Sequence, residues 1–567
     1  MLNVTVAQIN TTVGDTEGNL KKILEVVKEV NGFSHIVVFP ELSISGYMPE
    51  DLLLRKDFLE ECKYAIGRLR EESSRLSPLI VVGGPVYDGD VYNALFLIHR
   101  GEIKGIYKKR FLPNYSVFDE KRYFREGSEM LIVHINGCLA SFSICEDIWH
   151  PDWIERASAL QGAKLIININ ASPFYKGKYE FKENFIKARA EDNISFVVYV
   201  NMVGGHEELI FDGRSLVVDP EGHIILRAKA FEEDIKTITL DIEKVDKKRL
   251  FDLRLRDAEI RNIPYNFKEI RVEKVRGFFE PRVEESPSGC EELYKAIKLG
   301  TYDYIKKNGF RKAVVGLSGG IDSSLTACIV ADAIGSENVT GVFMPSRFSS
   351  EDSYEDAKKV AENLGIYFNV IPIDSCFEAF LEEFKKGLGD LPFDSADENI
   401  QARIRANMLF YMSNKFDWIV IATSNKSEVA VGYTTIYGDM AGGFAPIKDI
   451  YKTEVYELAK YRNELGEVIP ERVFKKPPSA ELRPNQTDQD TLPPYEELDR
   501  ILKAYIEEGM SSKEIVKLGF EEETVRKVIN MIRKSEYKRR QAPIGLKVTP
   551  RAFGKDWRMP VINKFKG

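Results

Sequence analysis

The chain has 567 residues, 44% of them hydrophobic, and a formal net charge of −8 at neutral pH. That length asks for two or three domains rather than one core, and the acidic balance argues against a protein whose main work is gripping nucleic acid. No apolar run approaches a membrane span, and the start MLNVTVAQIN lacks the basic segment and apolar block of a signal peptide, so the expected location is cytoplasmic.

Up to about residue 262, short β-branched runs alternate with amphipathic helical stretches. NVTVAQI, HIVVFPE, LIVVGGPVY, ALFLIHRGEIKGIYKK, CLASFSICEDIW, KLIININAS, SFVVYVNMVGG and SLVVDPEGHIILRA read as strands, two of these stretches containing hairpin turns. Several are apolar on both faces, which predicts an α/β layered sandwich with paired sheets inside and helices outside. Residues 263–287, IPYNFKEIRVEKVRGFFEPRVEESP, are charged and aperiodic and read as a linker or strap. From 288 to 567, helical patterns separate the strands KAVVGLS, NVTGVFMPS, YFNVIPID and DWIVIAT. This alternation predicts a doubly wound parallel sheet, whose ligands sit at the carboxyl ends of strands.

Six cysteines are scattered without a CxxC pair, against zinc ribbons, iron–sulfur clusters and a disulfide framework. One of them, Cys145, follows the strand-like CLASFSI and precedes two carboxylates, an anionic setting that blunts a thiol. Taken alone it reads more readily as a small buried hydrophobe. As a nucleophile it needs a base and a positive charge, and strand ends supply candidates in Glu41 and in Lys108 or Lys109. Individually, these read more readily as a strand-end acid facing water and lysines on a solvated edge.

Together, FPELSISGY, YKKRFLPNY and SICEDIW, followed by NASPFYKGK, resemble the carbon–nitrogen hydrolase (nitrilase) superfamily. The resemblance implies an α-β-β-α sandwich over residues 1–262, with Glu41 as general base, Lys109 as oxyanion-stabilising cation and Cys145 as nucleophile. Lys109 fits the family's spacing to LPNY better than Lys108. It also implies that Glu120 is a second acid supporting the glutamine pocket and that Tyr115, Ser172 and Lys178 contact glutamine, in a glutaminase branch where the ED of CEDIW recurs.

In the second half, GLSGGIDSS (316–324) ends a strand and opens a helix, so its N–H groups can cradle an anion. It is not a Walker A loop, and glycines alone are equally consistent with a turn that holds no ligand. No histidine follows His223, so this half works without imidazole. SGGIDS resembles the loop of the N-type ATP pyrophosphatases, which cleave ATP between the α and β phosphates. ENIQARIRAN, ATSNKSEVAVGYTTIYGDMAG, PIKDIYKTEVYELA, KPPSAELRPNQTDQD and the tail from Tyr537 resemble, within that superfamily, the NAD synthetases of the long, glutamine-using branch.

That resemblance implies an NAD synthetase domain over 288–567 with ATP as substrate and magnesium as metal. Gly316, Ser318, Gly319, Gly320, Asp322 and Ser323 would hold phosphates, Thr423 would contact ATP, and Lys448 and Ser479 would approach its phosphates. Asn399, Arg403, Glu428, Asp439 and Lys538 would serve deamido-NAD, with Asp322 and Glu428 near the metal. The implied reaction amidates deamido-NAD with ammonia from glutamine, giving NAD, AMP, pyrophosphate and glutamate. A homo-oligomer with a protected ammonia path is part of the same implication, with neither nucleic acid nor membrane as partner.

Two rivals remain at this level: a tRNA-modifying ATP pyrophosphatase with a fused amidase, and an amidase with a non-catalytic nucleotide sensor. The stretch from Met510 to Gln541 also has the outline of a DNA-binding helix–turn–helix. Its second helix opens on EEE, the wrong charge for phosphates.

Overall fold

The computed structural model describes residues 1–151, 153–256, 258–259, 263–484 and 486–565, so the expected first-domain limit at residue 262 lies outside the described residues. The chain divides into two compact units, Met1–His206 with Phe211–Pro287, and Ser288–Gly567 with Glu207–Ile210. Among the described residues no helix is long and apolar enough to cross a membrane.

The strands of the first half are β1 (Leu2–Gln8), β2 (Ile36–Val38), β3 (Leu79–Tyr87), β4 (Val91–His99), β5 (Glu102–Lys108), β6 (Met130–Ile135), β7 (Cys138–Ile144), β8 (Leu165–Asn170) and β9 (Phe196–Asn201). After a short hairpin of β10 (Val203–His206) and β11 (Leu209–Asp212) come β12 (Leu216–Val218), β13 (Ile224–Arg227), β14 (Asp234–Leu240), β15 (Tyr265–Ile270) and β16 (Arg282–Val283). They form a six-stranded sheet ordered β14-β1-β2-β3-β4-β5 and an eight-stranded sheet ordered β15-β6-β7-β8-β9-β12-β13-β16. One apolar layer takes Val4, Val6, Val38, Val81 and Leu97 from the first sheet and Ile132, Phe142, Ile144, Ile167 and Val198 from the second. Both faces of these central strands are buried, hence their near-continuous apolar runs. On the outer face of the larger sheet, Ile186 and Ala190 of the helix Lys178–Asn193 pack on Val197, Tyr199 and Leu216. The layering is α-β-β-α.

The stretch read as a linker or strap carries β15 and β16, which pair in parallel with β6 and β13 and so lie at the two edges of the larger sheet.

The second unit holds β17 (Ala313–Gly316), β18 (Val339–Phe343), β19 (Tyr367–Val370) and β20 (Ile419–Ile421), all parallel and ordered β19-β18-β17-β20. Strand order reverses between β17 and β20, which makes the space beyond their carboxyl ends the switch-point crevice of a doubly wound sheet. The helix Ile321–Ile334, apolar nearly all round, is buried on almost every side, and Cys328 sits inside it.

In the stretch with the helix–turn–helix outline, Val525, Val528, Ile529 and Ile532 of the helix Glu522–Lys534 are buried against Leu498, Ile501 and Leu502. Two members of its basic end turn inward. Arg539 donates to the Ala430 carbonyl at 2.6 Å, and Lys538 to those of Gly432 and Thr434 at 2.8 and 2.7 Å.

Candidate active sites

In the first unit three strand ends converge. Just beyond β2, the segment carrying Glu41 crosses β3 so closely that a Cβ on Gly83 would lie 2.4 Å from the Leu42 nitrogen. Lys109 extends β5 by one residue, its N–H donating to the Asn93 carbonyl at 2.8 Å. Cys145 follows β7 at φ +43°, a left-handed backbone that a non-glycine residue adopts at some strain, and opens the short turn Cys145–Trp149.

The side chains of Glu41, Lys109 and Glu120 are wholly out of solvent. The Lys109 ammonium lies 2.7 Å from Glu41 Oε1 and 2.8 Å from Glu120 Oε2. Glu41 also accepts from the Asn93 side chain at 2.7 Å and the Ala171 N–H at 3.0 Å, while the Tyr47 hydroxyl donates to Glu120 at 3.0 Å. Burial alone would lower the Lys109 ammonium, but Glu120 and Glu41 outweigh it and hold it above the ordinary lysine range. Burial, then the negative charge of Glu41, raises the Cys145 thiol, and Lys109 opposes them. This environment favours the neutral thiol over the thiolate at Cys145.

Of the residues expected to contact glutamine, Lys178 and Ser172 bond to each other and Tyr115 bonds to Glu146. The exposed Tyr115 donates to Glu146 Oε2 at 2.9 Å, and Lys178 donates to Ser172 Oγ at 3.0 Å and to the Pro173 carbonyl at 2.7 Å. Electrostatics connect the pairs: burial raises the Glu146 carboxyl, while the Tyr115 hydroxyl, Lys109 and Lys178 pull it down. Tyr47 and Asp147, which lie inside the quoted motifs without a role assigned to them there, and Asn93, which lies outside them, brace Glu120, Glu41 and the backbone beside Lys109 and Cys145.

In the second unit a cavity of about 440 Å³ opens beyond β17 and β20. Of the residues expected to serve ATP or the dinucleotide, Gly316, Ser318, Gly320, Asp322, Ser323, Asn399, Thr423, Glu428, Asp439, Ser479 and Lys538 line it. Its glycine loop is braced from within. Ser323 Oγ accepts from the Ser318 N–H at 3.2 Å and donates to the Gly320 carbonyl at 3.1 Å, leaving the amino end of the helix Ile321–Ile334 facing the cavity. Gly319, at φ +78°, packs against the Ser353 backbone instead.

Arg403 and Lys448 do not line the cavity. Arg403 donates to the Ile436 carbonyl at 3.1 Å. Lys448 is buried with its ammonium 2.6 Å from the Pro543 carbonyl, and burial pushes it down to about 8. The lysines that reach the cavity are Lys452, Lys476 and Lys538.

Lys452 bridges Asp322 and Glu428, the second at 3.2 Å, and Asn425 donates to Asp322 Oδ1 at 2.9 Å. Burial raises the Glu428 carboxyl, Lys452 opposes, and the like charges of Asp322 and Asp488 push it further up. Asp488 is a third acid that the motifs did not bring forward. This all-oxygen set, gathered around one cation, is the donor chemistry that suits a hard divalent metal.

Residues 3–249 match the carbon-nitrogen hydrolase family and residues 293–542 the NAD synthase family. Over 565 residues the chain is 62% identical to the glutamine-dependent NAD(+) synthetase of Aquifex aeolicus (strain VF5), covering 100% of each. It is 49% identical over 573 residues to that of Thermotoga maritima, covering 100% of this chain and 99% of the other. Among solved structures, the glutamine-dependent NAD+ synthetase from Acinetobacter baumannii in complex with adenosine diphosphate aligns with a TM-score of 0.75 at 36% identity, covering 99% of this chain and 98% of that one.

Proposed function

Because the chain belongs to the glutamine-dependent NAD(+) synthetases, which use the amide nitrogen of glutamine to turn deamido-NAD into NAD, we propose that Cys145 in the first unit frees this nitrogen. The cavity beyond β17 and β20 is where it is consumed.

Glutamine enters with its carboxamide over Cys145. Glu41 takes the thiol proton as sulfur attacks the carbonyl carbon, and Lys109 neutralises the oxyanion. The C–N bond breaks as Glu41 returns the proton to the leaving nitrogen, so ammonia departs and a thioester remains. Water, deprotonated by Glu41, then releases glutamate and restores the thiol. The supporting observation is the dry charge set in which one ammonium holds two carboxylates beside the thiol. In that set, Glu120 balances the lysine while Glu41 is left to move the proton.

In the second unit the nicotinate carboxylate of deamido-NAD attacks the α phosphorus of ATP and pyrophosphate leaves. Ammonia displaces AMP from the acyl adenylate, and the amide of NAD results. The loop from Gly316 to Ser323 is assigned to the phosphates through its N–H groups and helix terminus. Asn399, Asp439 and Lys538 are assigned to the dinucleotide. Asp322 and Glu428 would hold magnesium, which supplies charge neutralisation on the phosphate oxygens. In bulk water at neutral pH ammonia becomes ammonium and loses its lone pair, so transfer must precede that protonation.

The same reading includes a homo-oligomer. Phe380, Phe384, Leu388, Tyr411 and Phe416 are exposed on the second unit, and sedimentation would measure the assembly. The decisive experiment mixes protein, glutamine, ATP, magnesium and deamido-NAD and follows NAD, AMP and glutamate together. Equal yields of the three support the reading, and glutamate release without AMP would refute it.

A further inference from the structure

We propose that Asp147 is a positioning residue that fixes the distance and orientation of Cys145 relative to Lys109. The inference rests on the catalytic reading of those two residues. β5, which delivers Lys109, and β7, which delivers Cys145, belong to different sheets, so no hydrogen-bonded ladder sets one against the other. The link runs through one carboxylate.

Asp147 is fully buried in the turn Cys145–Trp149. Its Oδ1 accepts from the main-chain N–H groups of Phe111 at 2.9 Å and Arg110 at 3.2 Å, the two residues directly after Lys109. Its Oδ2 accepts from the Tyr107 hydroxyl at 2.7 Å, two residues before Lys109, and from the N–H of Ile144, directly before Cys145, at 2.9 Å. A carboxylate offers about four lone-pair positions, and all four are filled. Three bind the strand end on both sides of the lysine, and the fourth binds the peptide that leads into the nucleophile.

The fourth bond carries an additional duty. It caps the turn at the residue before Cys145, whose φ of +43° is held only as long as its surroundings over-determine it. Release of this cap lets the backbone relax and carries the sulfur away from the ammonium. A displacement of that kind, near an ångström, is enough to cost about 100-fold in rate. Asp147 makes these bonds without touching the reacting atoms.

The substitution Asp147→Asn keeps the shape but turns one acceptor oxygen into an NH₂ group facing other donors, which opens one side of the link. On the full-length protein we expect kcat for glutamine-supported NAD formation to fall about 100-fold with little change in KM for glutamine. The ammonium-supported rate should stay near wild type. The pH profile of Cys145 alkylation by iodoacetamide should shift, because moving the sulfur away from Lys109 weakens the one charge that opposes burial and Glu41 in raising the thiol.

A purely structural role would lower the melting temperature but leave kcat per folded molecule and the alkylation profile unchanged, and that result overturns the proposal. If Asp147→Asn fails to fold, Tyr107→Phe decides. It removes one donor of four and should lower glutamine-supported kcat by about tenfold; an unchanged kcat and alkylation profile refutes the role. Cys145→Ala separates the two levels: if it retains glutamine use, the catalytic reading fails first.

Discussion

The Lys109 ammonium sits 2.7 Å from the Glu41 carboxylate with neither side chain reaching water. Removing one partner of a buried pair strands the other, at about 3–5 kcal/mol. Lys109→Met is therefore expected both to abolish glutamine-supported NAD formation and to destabilise the first unit by that amount in denaturant unfolding. Cys145→Ala, which deletes a neutral thiol, should abolish the same activity with an unfolding midpoint close to wild type. Equal midpoints for the two variants would show that the lysine is not held as an ion pair.

Asp322 belongs to the loop Gly316–Ser323, lines the cavity and is tied to Asn425 and Lys452. Asp322→Ala should eliminate NAD formation from glutamine and from external ammonium alike, while measurable glutamine hydrolysis persists. NAD synthesis at the wild-type rate would displace the phosphate assignment from this loop.

Neighbouring glycines in that loop should behave differently. A Cβ on Gly319 would lie 2.3 Å from the Ser353 carbonyl oxygen, on a backbone at φ +78°. Gly319→Ala should cost at least about 2 kcal/mol and raise KM for ATP. At Gly320 the nearest atom to an added Cβ is Ser318 Oγ at 3.4 Å, and Gly320→Ala should change stability by less than about 1 kcal/mol. Calorimetry of the two variants side by side is the check, and similar losses would contradict the loop geometry.

Glu155, buried in the helix that follows the turn Cys145–Trp149, provides a pH-dependent test. Burial raises its carboxyl from the ordinary 4.5 to about 7. Between those values the unfolded chain has released a proton that the folded chain retains, so this group's contribution to stability falls as pH rises, by about 3 kcal/mol in all. Glu155→Gln does not titrate. Its stability relative to wild type should grow from pH 4.5 to pH 7 and then level off in denaturant unfolding. A difference that is constant with pH would mean that Glu155 does not titrate in this window.

Strand ends were legible because apolar runs stop where the proposed site residues begin: VVFPE places Glu41, FSICE places Cys145 and VVGLSGG places the glycine loop. Packing decided what local pattern could not. Lys448 and Lys452 stand four residues apart in one motif with the same side chain, and only the fold turns Lys452 toward Asp322 and Lys448 toward Pro543. Asp147 looked like an acid that weakens a thiol. Its role becomes visible only when residues 107 to 111 come alongside, a contact that no periodicity encodes. β15 lacked a strand signature because five of its six residues are exposed, so no buried face imprinted an alternation on YNFKEI.

The placement of β15 and β16 has a consequence for handling the glutaminase half as an isolated piece. A fragment ending near residue 262 would lose the flanking partners of β6 and β13 together, baring two rows of unpaired peptide groups that recruit other chains. Solubility on excision thus depends on a late segment that bears none of the proposed catalytic groups, and a cut after Pro287 retains it.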